Sequence, residues 1–112
     1  MATPRPGRRV RGSQTGRPIM AALDLLGRRW ALRILWELRA GALPFRALRE
    51  ACGDVSPAVL NTRLAELREA GIVESTSLGY AATASGRELC RALDPLSRWA
   101  QRWSRRGQTP FS

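Results

Sequence analysis

The sequence predicts a mainly α-helical domain carrying one small β-hairpin, and three observations predict it. Leucines recur at helical spacing, most legibly Leu60, Leu64 and Leu67. Helix-starting and helix-ending residues bracket these stretches, with Ser56-Pro57 opening one and Gly71 closing it. Between Ile72 and Ala82 the helical period gives way to a short β-prone run, Ile72, Val73 and Thr76, then Tyr80-Ala81-Ala82 across Ser77-Leu78-Gly79.

Each element follows in order. Pro18 suits a first helical position, and Ile19, Ala22, Leu23 and Leu26 form an apolar stripe up to Gly27. Trp30, Leu32, Ile34, Leu35 and Leu38 predict a second helix ending at Gly41; it is apolar on more than one face and therefore central. Leu43-Pro44-Phe45 reads as a short extended piece. A third helix places Phe45, Leu48, Ala51 and Cys52 inward and Arg46, Arg49 and Glu50 outward, and Gly53-Asp54 forms a turn. The Ser56–Gly71 helix and the hairpin come next. Thr83 caps a long last helix with Leu89, Leu93, Leu96, Ala100 and Trp103 on one stripe, which Pro95 should kink or split. Two helices joined by a tight turn and followed by a hairpin make the plan of a winged helix-turn-helix.

Composition narrows the chemistry. The chain has 112 residues, enough for one domain, and a formal net charge of +10 from 19 basic residues, all Arg, against 9 acids. The absence of His removes the usual general base and metal-binding nitrogen, and Cys52 and Cys90 are too few for a zinc cluster or a disulfide framework. No phosphate-cradling glycine loop or nucleophile motif is present, so an enzyme is not expected, nor a cofactor. No apolar run is long enough to span a bilayer, so no membrane partner is expected. The N-terminus has no apolar segment of the secretory kind, and Pro4, Pro6 and Gly7 break the helix a transit peptide needs. Both cysteines read first as buried small hydrophobes, with a thiol sensor as the alternative.

The charge is uneven: +5 in residues 1–17, +2 in 105–112 and +3 in the middle. Segments 1–17 and 105–112 are rich in Pro, Gly and Arg, cannot bury enough apolar area to offset chain entropy, and are read as a flexible Arg-rich arm and a flexible tail around a folded unit at 18–104. The basic arm is either a solubilising appendage or a phosphate-seeking device. Arg without Lys, in an Ala-rich chain, is what a GC-rich genome writes anywhere, so placement carries more information than residue type.

The run from Pro18 to Val73 resembles the HxlR-type winged helix-turn-helix regulators of bacteria. The resemblance rests on Pro18, Leu23, Leu26, Gly27 and Trp30, then Leu38, Gly41, Phe45 and Leu48. It continues through Val55, Ser56, Leu60, Arg63, Leu64, Leu67, Gly71, Ile72 and Val73, and closes on Tyr80, Thr83, Gly86 and Leu89. It implies a cytoplasmic, nucleoid-associated bacterial transcription regulator, often a repressor, that reads double-stranded DNA as a homodimer. Three positions depart from the pattern. Arg17 stands where the family often carries a redox-active Cys, the wing is short and has no Arg, and Ala58 replaces a longer polar residue.

With the leucines of the Ser56–Gly71 helix inward, Ala58, Thr62, Ala65 and Glu69 point away from the core, with Asn61 and Arg63 on the flanks. Ser56, Ala58, Asn61, Thr62 and Arg63 are therefore the base-contact candidates, joined by Arg46. Ser56 is at the same time an N-cap, and Arg63 has an equal reading as an ion pair with Glu66. Arg5, Arg8, Arg9 and Arg11 of the arm are candidates for the phosphate grip that the wing lacks. The first and last helices form the dimer contact by resemblance. Ile19, Leu23, Leu93, Leu96, Trp99 and Trp103 supply more apolar surface than a small monomer hides. Trp30 and Trp36 read as core or pocket-wall residues, with a small aromatic effector in a crevice beside the first helix as the alternative. Two competing functions stay open: a winged-helix protein–protein interaction module that has lost specific operator binding, and, with less in its favour, an RNA binder.

Overall fold

The computed structural model describes residues 17–106, so the expectations for the arm (Arg5, Arg8, Arg9 and Arg11) and for the last six residues lie outside the described residues. Pro18 opens α1 (Pro18–Leu26), which turns its Ala21 and Leu25 inward. After a corner at Gly27–Trp30 comes α2 (Ala31–Glu37). This helix is shorter than its apolar pattern predicts. Trp30 stands outside it with φ +78°, and the backbone beyond Leu38 turns away rather than continuing to Gly41. The reason is long-range: Leu43 exchanges backbone hydrogen bonds of 2.9 and 2.8 Å with Tyr80, and the chain must leave the helix early to reach it.

Next are α3 (Phe45–Ala51) and α4 (Pro57–Glu69). The turn between them places Gly53 and Asp54 at positive φ, and Arg49 pins it by donating to the Val55 carbonyl at 2.7 Å. The ends of α4 are local in origin. The Ser56 hydroxyl accepts from the Val59 N–H at 3.2 Å. Gly71 takes φ +78° beyond the last turn, so that its N–H reaches the Arg68 carbonyl and that of Ile72 reaches Leu67.

Strands β1 (Val73–Thr76) and β2 (Gly79–Ala82) pair antiparallel, Val73 with Ala82 and Thr76 with Gly79. Ser77 and Leu78 alone connect them, one residue fewer than the Ser77-Leu78-Gly79 turn expected, because the ladder runs to its tip. Thr83 caps α5 (Ala84–Ala92) by accepting from Gly86 N–H at 3.1 Å, and its hydroxyl also donates to the Gly71 carbonyl at 2.6 Å. The split expected at Pro95 occurs: α5 ends, Leu93 is the joint, and α6 (Asp94–Arg105) begins with Pro95 in its first turn.

The main core joins Leu25, Ile34, Leu38, Leu48, Leu60, Leu64, Leu67 and Val73 across α1, α2, α3, α4 and β1. A smaller cluster holds Leu35, Ala82 and Cys90, with Leu89 and Leu93 packed against it. Gly86 belongs where α5 crosses the end of the hairpin: a Cβ there would run into the Ile72 carbonyl oxygen. Both thiols are buried, and burial pushes each above the usual thiol range, against the lowering influence of Arg33 on Cys52 and of Arg39 and Arg91 on Cys90.

Candidate nucleic-acid interface

The candidate surface is the outer face of α4. Because Leu60, Leu64 and Leu67 are sealed in the core, the helix cannot rotate, and Ser56, Ala58, Asn61, Thr62, Ala65 and Glu69 stand exposed. The hydroxyl of Thr62 donates back to the Ala58 carbonyl at 3.0 Å, which directs its methyl away from that turn. Ser56 is occupied as the cap, and its oxygen keeps a second lone pair at the exposed helix start. Arg46 lies on α3 with its side chain 93% exposed, 3.5 Å from Glu50.

Arg63 is placed differently. It is half-buried beside the α1–α2 corner, where its Nε donates to the Arg29 carbonyl at 2.8 Å and a terminal nitrogen pairs with Glu66 at 3.2 Å. Glu66 uses its other oxygen on Arg28 at 2.9 Å, and Arg28 also meets Asp24 of α1 at 3.4 Å. The Arg63–Glu66 pair was legible at its i, i+3 spacing. Arg28 and the Arg29 carbonyl were not, because they are distant in the chain and leave no periodic trace.

The wing turns Glu74, Ser75, Thr76, Ser77 and Leu78 to solvent and carries no basic side chain. The Thr76 hydroxyl fixes its tip, donating to the Gly79 carbonyl at 2.7 Å and accepting from the Leu78 N–H at 3.1 Å. Leu78 at the tip is 74% exposed, a residue that sequence reasoning passed over because hydrophobic patterning assigns a lone turn leucine to neither face.

The residues expected at a dimer contact fall on two surfaces. Ile19 and Leu23 are exposed on α1. On the other surface, Leu96 and Trp99 are exposed on α6, and Trp99 stacks on Trp103 with ring centroids 5.5 Å apart. Leu93 is partly used within the chain, against the smaller core cluster. Between α2 and α6 lies an open apolar groove of about 330 Å³ lined by Leu32, Trp36, Leu93, Leu96 and Ala100. Trp36 is thus a groove wall, and the Arg39 guanidinium sits 3.8 Å over its ring.

No group of acidic residues and cysteines able to hold a metal exists among the described residues, and no helix among them is long and apolar enough to cross a membrane.

A helix-turn-helix whose second helix is held rigidly with a polar face outward, next to a two-stranded wing, defines a DNA-binding transcription regulator of the winged-helix class. The chain belongs to the HxlR family: its residues 25–108 match the HxlR-like helix-turn-helix family. It is 32% identical to the uncharacterised HTH-type transcriptional regulator YvaP of Bacillus subtilis over 73% of this chain and 82% of that protein. Among solved structures it resembles quinone-bound YodB from B. subtilis, with a TM-score of 0.69 at 31% identity over 75% of this chain and 96% of that one. It also resembles the reduced form of the transcriptional regulator YodB, with a TM-score of 0.62 at 29% identity over 84% and 95%.

Proposed function

We propose that this protein is a homodimeric, sequence-specific regulator that inserts α4 into the major groove of a pseudo-palindromic operator. The observation that carries the reading is the outer face of α4: three leucines fix its rotation, and Ala58, Asn61 and Thr62 are left exposed near its N-terminal end. Asn61 suits the paired donor and acceptor of adenine, and the Thr62 methyl suits thymine. Ala58 lets the helix approach the bases closely. Arg46 on α3 and the arm residues Arg5, Arg8, Arg9 and Arg11 supply the phosphate contacts that a wing without a basic side chain cannot.

In the dimer, Ile19 and Leu23 of one copy enter the α2–α6 groove of the other, and Leu96 and Trp99 close over them. The contact is isologous, so one point of complementarity serves both halves and sets two recognition helices one DNA turn, or a multiple, apart. A small aromatic effector entering the same groove would displace that contact and release the DNA. The quinone-bound YodB structure is the observation that favours this second element.

The test is selection of duplex sites from a random pool by the full chain, followed by comparison of selected with unselected DNA. A specificity ratio of about a thousandfold or more and a two-fold symmetric site are expected. Equal affinity for both DNAs would leave the fold as a protein-interaction module. Removing residues 1–16 should weaken operator binding and flatten its dependence on salt; an unchanged slope would take the arm out of the interface.

A further inference from the structure

We infer that Arg63 and Glu66 are positioning residues that clamp the recognition helix to the α1–α2 corner through Arg28, and that Arg63 is not a DNA contact. The inference rests on the reading of α4 as the helix that enters DNA.

The clamp is a continuous chain of charge-assisted contacts. Asp24 on α1 meets Arg28 in the corner at 3.4 Å, Arg28 meets Glu66 on α4 at 2.9 Å, Glu66 meets Arg63 at 3.2 Å, and Arg63 returns to the corner at the Arg29 carbonyl, 2.8 Å. Glu66 gives one oxygen to each arginine, so its removal leaves two cations facing one another. These side chains are 13–32% exposed, sheltered enough that solvent screens them less than a surface pair.

The corner can bear the load because its own shape is over-determined. Trp30 holds φ +78°, a conformation that a bulky side chain adopts at a cost, and its ring is packed against the main core. Leucine packing prevents rotation of α4, but leucine contacts alone tolerate sliding and tilt. A directional bond to a rigid carbonyl removes that freedom, and α4 has such a bond on the flank facing α1.

Orientation excludes Arg63 from base reading. At about 100° per residue it falls about 140° around the helix from Ala58 and only about 40° from Leu67. Its Nε and one terminal nitrogen are already engaged, so the guanidinium is held at the Arg29 carbonyl and Glu66, and swinging it out to a base edge would give up both bonds.

The experiment uses the full chain and a duplex selected by the wild type, with Arg63→Ala, Glu66→Gln, the double variant and Arg63→Lys. Three quantities are read: affinity for the site and for each of its single-base variants, the salt slope, and amide hydrogen exchange of the free protein. Arg63→Ala and Glu66→Gln should each weaken specific binding about tenfold, evenly across base positions, with non-specific affinity and salt slope unchanged. The double variant should bind no worse than the weaker single variant, since both remove one device. Arg63→Lys, which keeps the charge but not the fork, should recover only part of the loss. Exchange in residues 59–66 should quicken in the Ala and Gln variants while the global melting temperature moves little.

Relaxed preference at a single base position, or a slope reduced by about 0.9, would put Arg63 on the DNA and overturn the inference. Unchanged site affinity with unchanged exchange would overturn it equally. A wild type that selects no site defeats the DNA reading instead, and the exchange experiment then still decides the clamp, because it needs no DNA. Should Glu66→Gln fail to fold, Arg63→Lys carries the same comparison.

Discussion

Helices α4 and α6 are nearly equal in length, at 13 and 12 residues, and they invert the usual relation between pattern and burial. In sequence α4 is only weakly amphipathic, because arginines and glutamates flank its leucines, yet Leu60, Leu64 and Leu67 are almost wholly buried. By contrast α6 is strongly amphipathic and buries none of its residues. The difference separates two uses of apolar surface. The leucines of α4 share the main core with residues of four other elements and serve stability. On α6, Leu96 and Trp99 stay about half exposed among the described residues, an apolar face open to the association proposed above.

The comparison can be broken at several points, the most severe first. Leu60→Ala should cost about 2–5 kcal/mol of folding stability, read as a lower urea midpoint, because the cavity opens inside the main core, where Leu60 is wholly buried. Gly86→Ala should cost about 1–3 kcal/mol in the same measurement, since the added methyl meets the Ile72 backbone rather than a side chain that could swing aside. Trp99→Ala should behave in the opposite sense to Leu60→Ala. Sedimentation should show dimer dissociation strengthened by about 1–2 kcal/mol per site, while the urea midpoint of the dilute protein barely changes. If Trp99→Ala unfolds the chain instead, the contrast between the helices fails.

Ser56→Ala sharpens the contrast on the α4 side. Loss of the bond to Val59 N–H should lower stability by about 1 kcal/mol, and the fraying would fall on the turn that carries Ala58. The smallest effect concerns the thiols. Burial raises both above their unfolded value, so the stability they contribute is complete below the unfolded thiol range of about 8.5 and is lost as pH climbs through the raised folded values. Alkylation of Cys52 and Cys90 in the folded protein should accordingly lag far behind that of the urea-unfolded chain at the same pH.

Much of this was legible in the sequence where the deciding interactions lie within a few residues of each other. The start of α4 depends on Ser56 and Pro57, its end on Gly71, and the break between α5 and α6 on Pro95, and each acts on its own turn of backbone. The leucine spacing then fixes which way α4 faces, so Ala58, Thr62, Ala65 and Glu69 were legible as the outward set, with Asn61 and Arg63 on the flanks. Membership of the HxlR family was legible for the same reason, since its motif is largely this punctuation.

Tertiary structure alone decided the rest. The shortening of α2 comes from Leu43 pairing with Tyr80, the bond network at Arg63 from Arg28 and the Arg29 carbonyl, and the exposure of Leu96 and Trp99 from the way the described elements beside α6 leave those side chains uncovered. Residues far apart in sequence have no shared period to announce that they will meet. Whether an apolar stripe is covered depends on where the other elements come to rest, and that is settled only when the whole chain has packed.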